Sequence, residues 1–197
     1  LAEDAVNVPL NLSAPTDSDG DTLTITVSGI PTSGVLKKSD GTVLTESSAL
    51  TITELQALTF IPDANANDST TSFGSFTYSV SDGTDTDSRT VTISVDAVND
   101  APSYVGVSSF GPNENTTAVT TVEATDTDGD IITYSITGGL DEDLFSINST
   151  TGELTFINAP DFENPGDTDQ DNVYQVEVSA TDPEGAATAI GYVITVN

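Results

Sequence analysis

The chain has 197 residues, 36% of them apolar, with no Cys, His, Met or Trp. A Ser-His-Asp hydrolase, a Cys-based zinc site, a thiol nucleophile and a disulfide staple are therefore impossible. Thirty-two acids face three bases, Lys37, Lys38 and Arg89, and the formal charge of −29 excludes a nucleic-acid or anionic-membrane partner, both of which need a basic footprint.

In chain order, Val8-Leu10-Leu12, Leu23-Ile25-Val27, Phe76-Tyr78-Val80 and Val91-Ile93-Val95 alternate with Thr, Ser and Asn. That period of two predicts strands with one buried face. Lys37 to Thr42 reads as a hairpin turn around Asp40-Gly41. Thr51 to Leu58 is the ambiguous piece, with Thr53 to Leu58 a candidate helical turn. A straight connector follows from Val95 to Tyr104, where Pro102 holds Ala101 extended. Beyond it, Ile132-Tyr134-Ile136, Leu154-Phe156, Tyr174-Val176-Val178-Ala180 and Tyr192-Ile194-Val196 repeat the alternation, with a turn at Thr150–Glu153.

Residues 16–29 and 125–138 share acids, glycines and alternation at an offset of 109 residues, a domain-length recurrence. The expected fold is all-β: two tandem Greek-key β-sandwich domains, residues 1–99 and 100–197, placed end to end. No run of about 18 apolar residues predicts a membrane span. The chain begins and ends in mid-pattern, so it is expected to be a piece of something longer.

Fifteen acids and all three bases lie in residues 1–100, and 17 acids with no base lie beyond. The acids gather at predicted strand ends: Glu3, Asp17-Ser18-Asp19-Gly20-Asp21, Asp63, Asp82, Asp96 with Asn99-Asp100, Glu114, Asp126-Thr127-Asp128-Gly129-Asp130, Asp161-Phe162-Glu163 and Asp182. Alternate carboxylates before a glycine suit a hard cation, Ca²⁺ more than Mg²⁺, whose octahedron is stricter. The competing reading is a set of plain Asp-Gly turns kept acidic for solubility. An EF-hand is not met, because no bidentate Glu stands at position 12 of either motif.

The second half resembles a cadherin repeat. The resemblance is carried by Pro112-Asn113-Glu114-Asn115, Ala124-Thr125-Asp126-Thr127-Asp128, Phe145-Ser146-Ile147, Thr151-Gly152-Glu153-Leu154, Asp161-Phe162-Glu163 and Ala180-Thr181-Asp182. The first half is similar to cadherin-like repeats of large bacterial surface adhesins, through Phe60 to Asn65, Phe76 to Gly83 and Val98-Asn99-Asp100-Ala101-Pro102. Both sandwiches are accordingly expected to be of the immunoglobulin-like, cadherin-like type.

The resemblance implies calcium shared between successive domains. Glu3 and Asp63, the linker residues Asp96, Asn99 and Asp100, and then Asp126, Asp128 and Asp182 would serve the junction. Glu114, Asp161 and Glu163 would serve a following repeat, and Asp17, Asp19 and Asp82 a preceding one. The linker departs from the vertebrate pattern by an extra residue after Asp96, and Asn65 stands where a Glu is expected, so fewer than three ions fit the junction. The implied role is a calcium-rigidified, extracellular, monomeric spacer of a bacterial adhesin, without enzymatic activity, whose partners are neighbouring repeats. The alternatives are a calcium-dependent glycan- or peptide-binding module, with Asp141 to Asp143 and Asp167 to Asp171 as its calcium-dressed loops, or a homophilic adhesion module.

Overall fold

Alternating apolar and hydroxyl-bearing residues become short antiparallel strands throughout the computed structural model, which describes residues 1–197 and divides into Leu1–Val98 and Asn99–Asn197. In the first unit, β1 (Val8–Pro9), β2 (Thr24–Ser28), β3 (Val35–Lys37) and β4 (Ala49–Leu50) precede α1 (Ile52–Gln56). The strands β5 (Thr59–Ile61), β6 (Ser75–Ser81) and β7 (Thr86–Thr92) complete it.

Sheets ordered β1-β5-β3 and β4-β2-β6-β7 enclose one core of Ile25, Val27, Leu36, Leu55, Leu58, Phe60 and Phe76, among others. The register of β2 with β6, Ile25 opposite Val80 and Val27 opposite Tyr78, puts the alternating apolar residues on one face. Hydroxyl pairs cross β6 and β7 on the other face, Thr77 with Thr90 at 3.1 Å and Ser79 with Ser88 at 2.8 Å. Strand β7 has no second neighbour and carries exposed Asp87 and Arg89.

The segment left open by sequence is the helix α1. Thr51 caps it through its hydroxyl to the Glu54 amide at 3.2 Å, and Glu54 reaches back to the Thr51 amide at 2.7 Å, a reciprocal capping box. The strand expected over Val8 to Leu12 is shorter than its pattern. Pro9 has no amide hydrogen, and Asn7 and Asn11 take positive φ of 54° and 50°, so the ladder stops while Leu10 and Leu12 still pack on the core.

In the second unit, β8 (Ser103–Val105), β9 (Ser109–Phe110), β10 (Ala118–Thr121), β11 (Glu123–Thr125) and β12 (Thr133–Gly138) lead to a 3-10 turn at Glu142–Leu144. Then come β13 (Phe145–Ile147), β14 (Glu153–Phe156), β15 (Val173–Thr181) and β16 (Ala187–Thr195). The sheets are β10-β14-β13 and β12-β15-β16-β9, with a β11-β8 pair beside them, and β9 joins β16 in parallel. Phe145, Phe156 and Tyr174 interlock in the core, with ring centroids 4.6 to 6.3 Å apart. Gly152, with φ of 73°, makes the turn into β14 so close to the Val122 carbonyl that a Cβ would overlap it.

Candidate metal centres

Strand β11 delivers the chain into the turn Asp126–Asp130, where Gly129 takes φ of 83°. Asp126 Oδ1 accepts the amides of Asp128 at 2.9 Å and Asp130 at 3.3 Å, which curls the three carboxylates toward one another. Their oxygens lie within 4.8 Å of each other, and Asp126 Oδ2 is buried without a hydrogen-bond donor.

Three more of the expected residues are linked to this turn, Asp100 directly and Asn99 and Asp182 through it. The Asp100 amide donates to Asp128 Oδ2 at 2.9 Å, and the preceding Asn99 donates its side-chain amide to Asp182 Oδ2 at 2.7 Å. Asp182 is 5% exposed, and its Oδ1 takes the amides of Gly185 at 2.6 Å and Ala186 at 2.8 Å. Asn99 above all, and then the backbone amides of Ala186, Gly185 and Glu184, hold the Asp182 carboxyl below the usual carboxylate range against the opposing effect of burial.

The second unit contains no Lys, Arg or His, so no side chain of its own can neutralise these charges. Oxygen-only donors, one of them a buried carboxylate oxygen with nothing to accept from, fit Ca²⁺. Asn99, Asp100, Asp126, Asp128 and Asp182 would hold it within this unit, and Asp130, which the resemblance does not name, completes the carboxylate triad.

Glu114, Asp161 and Glu163 form another group within 4.8 Å. The Phe162 amide donates to Glu114 Oε2 at 2.9 Å, which fastens the β9–β10 loop to the segment after β14. Asn115, at φ of 60°, donates its amide to the Pro160 carbonyl at 2.8 Å and sets Glu114 in place. Asp167, Asp169 and Asp171 form a third group. Burial first, and then the neighbouring Asp171 and Asp167, hold the Asp169 carboxyl above its usual range.

The first unit arranges its acids differently. Glu3, 3% exposed, accepts the Val98 amide on Oε1 at 2.6 Å and the Asn67 side-chain amide on Oε2 at 3.0 Å. Asp63 and Asp96 are exposed, and neither joins Glu3 in a carboxylate triad.

In the first Asp-x-Asp-Gly-Asp copy, Asp17 Oδ1 takes the amides of Asp19, Gly20 and Asp21 at 2.7 to 3.0 Å. The Asp21 and Asp19 amides, which outweigh burial and the Asp82 charge, keep the Asp17 carboxyl below its usual range. Asp82 similarly caps its own turn through the Asp85 and Thr84 amides. Asp17 and Asp82 line one cleft that also holds Arg89, and Asp19 is not in that lining. Here the motif gathers no triad.

Residues 109–197 match the family model described as "Cadherin domain". That match covers most of the second unit. Residues 1–94 match the model described as "Bacterial Ig domain". Among solved structures, human protocadherin-24 EC1-2 is 22% identical over 92% of this chain and 85% of that one, with a TM-score of 0.54. The protocadherin gammaB7 EC3-6 cis-dimer structure, 18% identical, covers 92% of this chain and 42% of its own, with a TM-score of 0.52. Protocadherin gamma B2 extracellular cadherin domains 1–5, 20% identical, cover 98% and 38%, also at 0.52. These likenesses are of fold, and the fold is the cadherin- and immunoglobulin-like β-sandwich. No curated protein sequence matches the chain.

The second unit thus brings together two groups of its expected residues, and the first unit leaves its own set dispersed. Two side chains outside the expected metal-ligand set organise acids: Asn67 aligns Glu3, and Asp141, expected as part of a binding loop, supports the loop at Asp167. Their roles depend on pairing across many residues, which no local spacing announces. The Tyr and Phe are mostly core, including Phe60, Phe73, Phe76, Phe145, Phe156, Tyr174 and Tyr192. Phe162 is the exposed one, at 46%.

Proposed function

We propose that this chain is a calcium-rigidified structural segment of a bacterial cell-surface adhesin, working outside the cell as a non-enzymatic spacer among repeats of the same parent protein. The observation that carries the reading is the Asp126–Asp128–Asp130 triad, with a buried, donorless Asp126 oxygen, in a unit that has no base. The cadherin-domain match supports calcium and adhesion-type architecture, and the bacterial Ig match supports the source class.

The protein's own part is to converge and orient oxygens. Asp182 is fixed by Gly185, Ala186 and Asn99, and Asp128 is fixed by the Asp100 amide, so the linker residues Asn99 and Asp100 are tied to the acids of the second unit. When bound, the cation supplies the positive charge that lets these carboxylates stay ionised side by side. Each carboxylate pair at 4 Å otherwise costs about 1 kcal/mol in water and more when partly buried. Relief of that repulsion orders Asn99 and Asp100, and an ordered linker limits hinge motion between the units. Extracellular calcium modules bind with Kd of about 10⁻⁴–10⁻³ M, which matches fluids outside cells and not the cytosol.

The test is small-angle scattering of the full chain in calcium and in chelator. The spacer reading expects a narrower, more extended distribution of dimensions with calcium. Superimposable curves in the two conditions refute it. Sedimentation in calcium separates the spacer, a monomer, from homophilic adhesion, which requires dimers.

A further inference from the structure

The loop between β14 and β15 carries Asp167-Thr168-Asp169-Gln170-Asp171, outside the residues that the cadherin resemblance assigns. Its three carboxylates place oxygens within 4.8 Å of one another. Asp167 is 4% exposed. Its Oδ2 accepts the Asp171 amide at 2.8 Å, whereas Oδ1 is buried and meets no donor. A buried carboxylate oxygen without a partner is costly, and the rarity of such atoms in folded proteins makes each one informative.

The loop is held firmly by donors that are spent elsewhere. Asp141, itself 3% exposed, receives the Thr168 amide on Oδ1 at 2.8 Å and the Gln175 amide on Oδ2 at 2.9 Å. The Thr168 hydroxyl donates to the Leu140 carbonyl at 3.1 Å, and the Gly166 amide donates to the Tyr174 hydroxyl at 3.2 Å. These contacts fix the backbone on both sides of Asp167, yet none answers its Oδ1. With no Lys, Arg or His in the unit, no side chain of the unit supplies a counter-charge.

We propose that Asp167, Asp169 and Asp171 form a further divalent-cation site, suited to Ca²⁺, internal to the second unit. Acids at the first, third and fifth positions are the spacing by which hard-cation loops offer oxygens. The sixth position of such loops needs a sharp turn, and here Asn172 takes φ of 63°. The site shares no residue with the Asp126–Asp128–Asp130 triad or with Glu114, Asp161 and Glu163, so it stands whether or not the spacer reading holds. Its effect is local: a cation here ties residues 167–171 down beside the start of β15, which makes this loop a fastening within one repeat rather than between repeats.

The test is a titration of the ¹⁵N-labelled full chain with CaCl₂ to about 10 mM, above the range typical of extracellular modules, followed by amide spectra. The amides of Thr168 and Asp171 should shift along a saturable curve. In the double variant Asp169→Asn, Asp171→Asn the midpoint of that curve should rise at least tenfold, while the amides of Phe162, Gly185 and Ala186 keep their wild-type behaviour. Both substituted residues are exposed, and Asp171→Asn keeps a side-chain oxygen to accept the Val173 amide, so the fold survives the change. In the variant Asp161→Asn, Glu163→Gln the loop curve should stay at its wild-type midpoint. Loop amides that ignore calcium overturn the site. So does a midpoint unchanged by the loop variant, or one abolished by the Asp161 and Glu163 variant. Loop shifts without any response at Phe162, Gly185 or Ala186 would uphold this site while counting against the spacer's ligands.

Discussion

Replacing Asp126 by Asn should invert its effect on stability according to calcium. The three carboxylates of the triad form three pairs, none with oxygens farther apart than 4.8 Å. At that separation each pair repels by about 0.9 kcal/mol in water, less once salt screens it. Asp126→Asn removes two of the three pairs and keeps an oxygen for the Asp128 and Asp130 amides. In chelator the variant should therefore melt at or slightly above the wild type.

Calcium at about one hundred times Kd adds roughly 2.7 kcal/mol to the wild type. For a unit of about 100 residues that is a rise in Tm of about 10–20 °C. A tenfold loss of affinity in the variant removes about 1.4 kcal/mol of this, or roughly 5–10 °C. Thermal melts of both proteins, with and without calcium, read the four values directly. Equal calcium-induced rises in the two proteins, or none in the wild type, would refute the assignment of Asp126 as a ligand.

Asn67→Ala should weaken the first unit by about 2–4 kcal/mol, because it strips the buried Glu3 of a charge-assisted bond and the Ser69 amide of its acceptor. Urea unfolding checks this, and a change under about 0.5 kcal/mol would show that Glu3 does not need the amide. Gly152→Ala should cost about 1–2 kcal/mol for the left-handed backbone alone, with the overlap on Val122 adding to it, measured as a lowered urea midpoint of the second unit. Asp182, whose folded carboxyl titrates below its ordinary value of 3.8, stabilises the fold fully above that value. That contribution should fade as pH falls through the lower folded value. Carboxyl ¹³C titration should find Asp182 still ionised where free Asp is half protonated.

The alternation of Ile25-Val27, Tyr174-Val176-Val178 and Tyr192-Ile194 was readable because a strand with one buried face repeats every two residues, and each of these became a core face. Strand β7 was only half readable. It begins at Thr86, in a stretch without apolar residues, since pairing with β6 rather than burial defines it. For the acids, local spacing located the turns but could not rank them. Asp17 and Asp126 sit in the same motif. One spends its Oδ1 on three backbone amides, and the other keeps a buried oxygen unanswered beside the triad that Asp130 completes. That difference lies in the surrounding packing.

The outermost strand of the first unit, Thr86–Thr92, shows water a row of hydroxyls and both signs of charge, with Val91 its only sizeable apolar residue. An open strand flank is where like chains anneal when they are crowded, and charged side chains there discourage it. Proteins displayed densely side by side can in this way brush past one another without zipping into aggregates, whatever the ions are doing elsewhere.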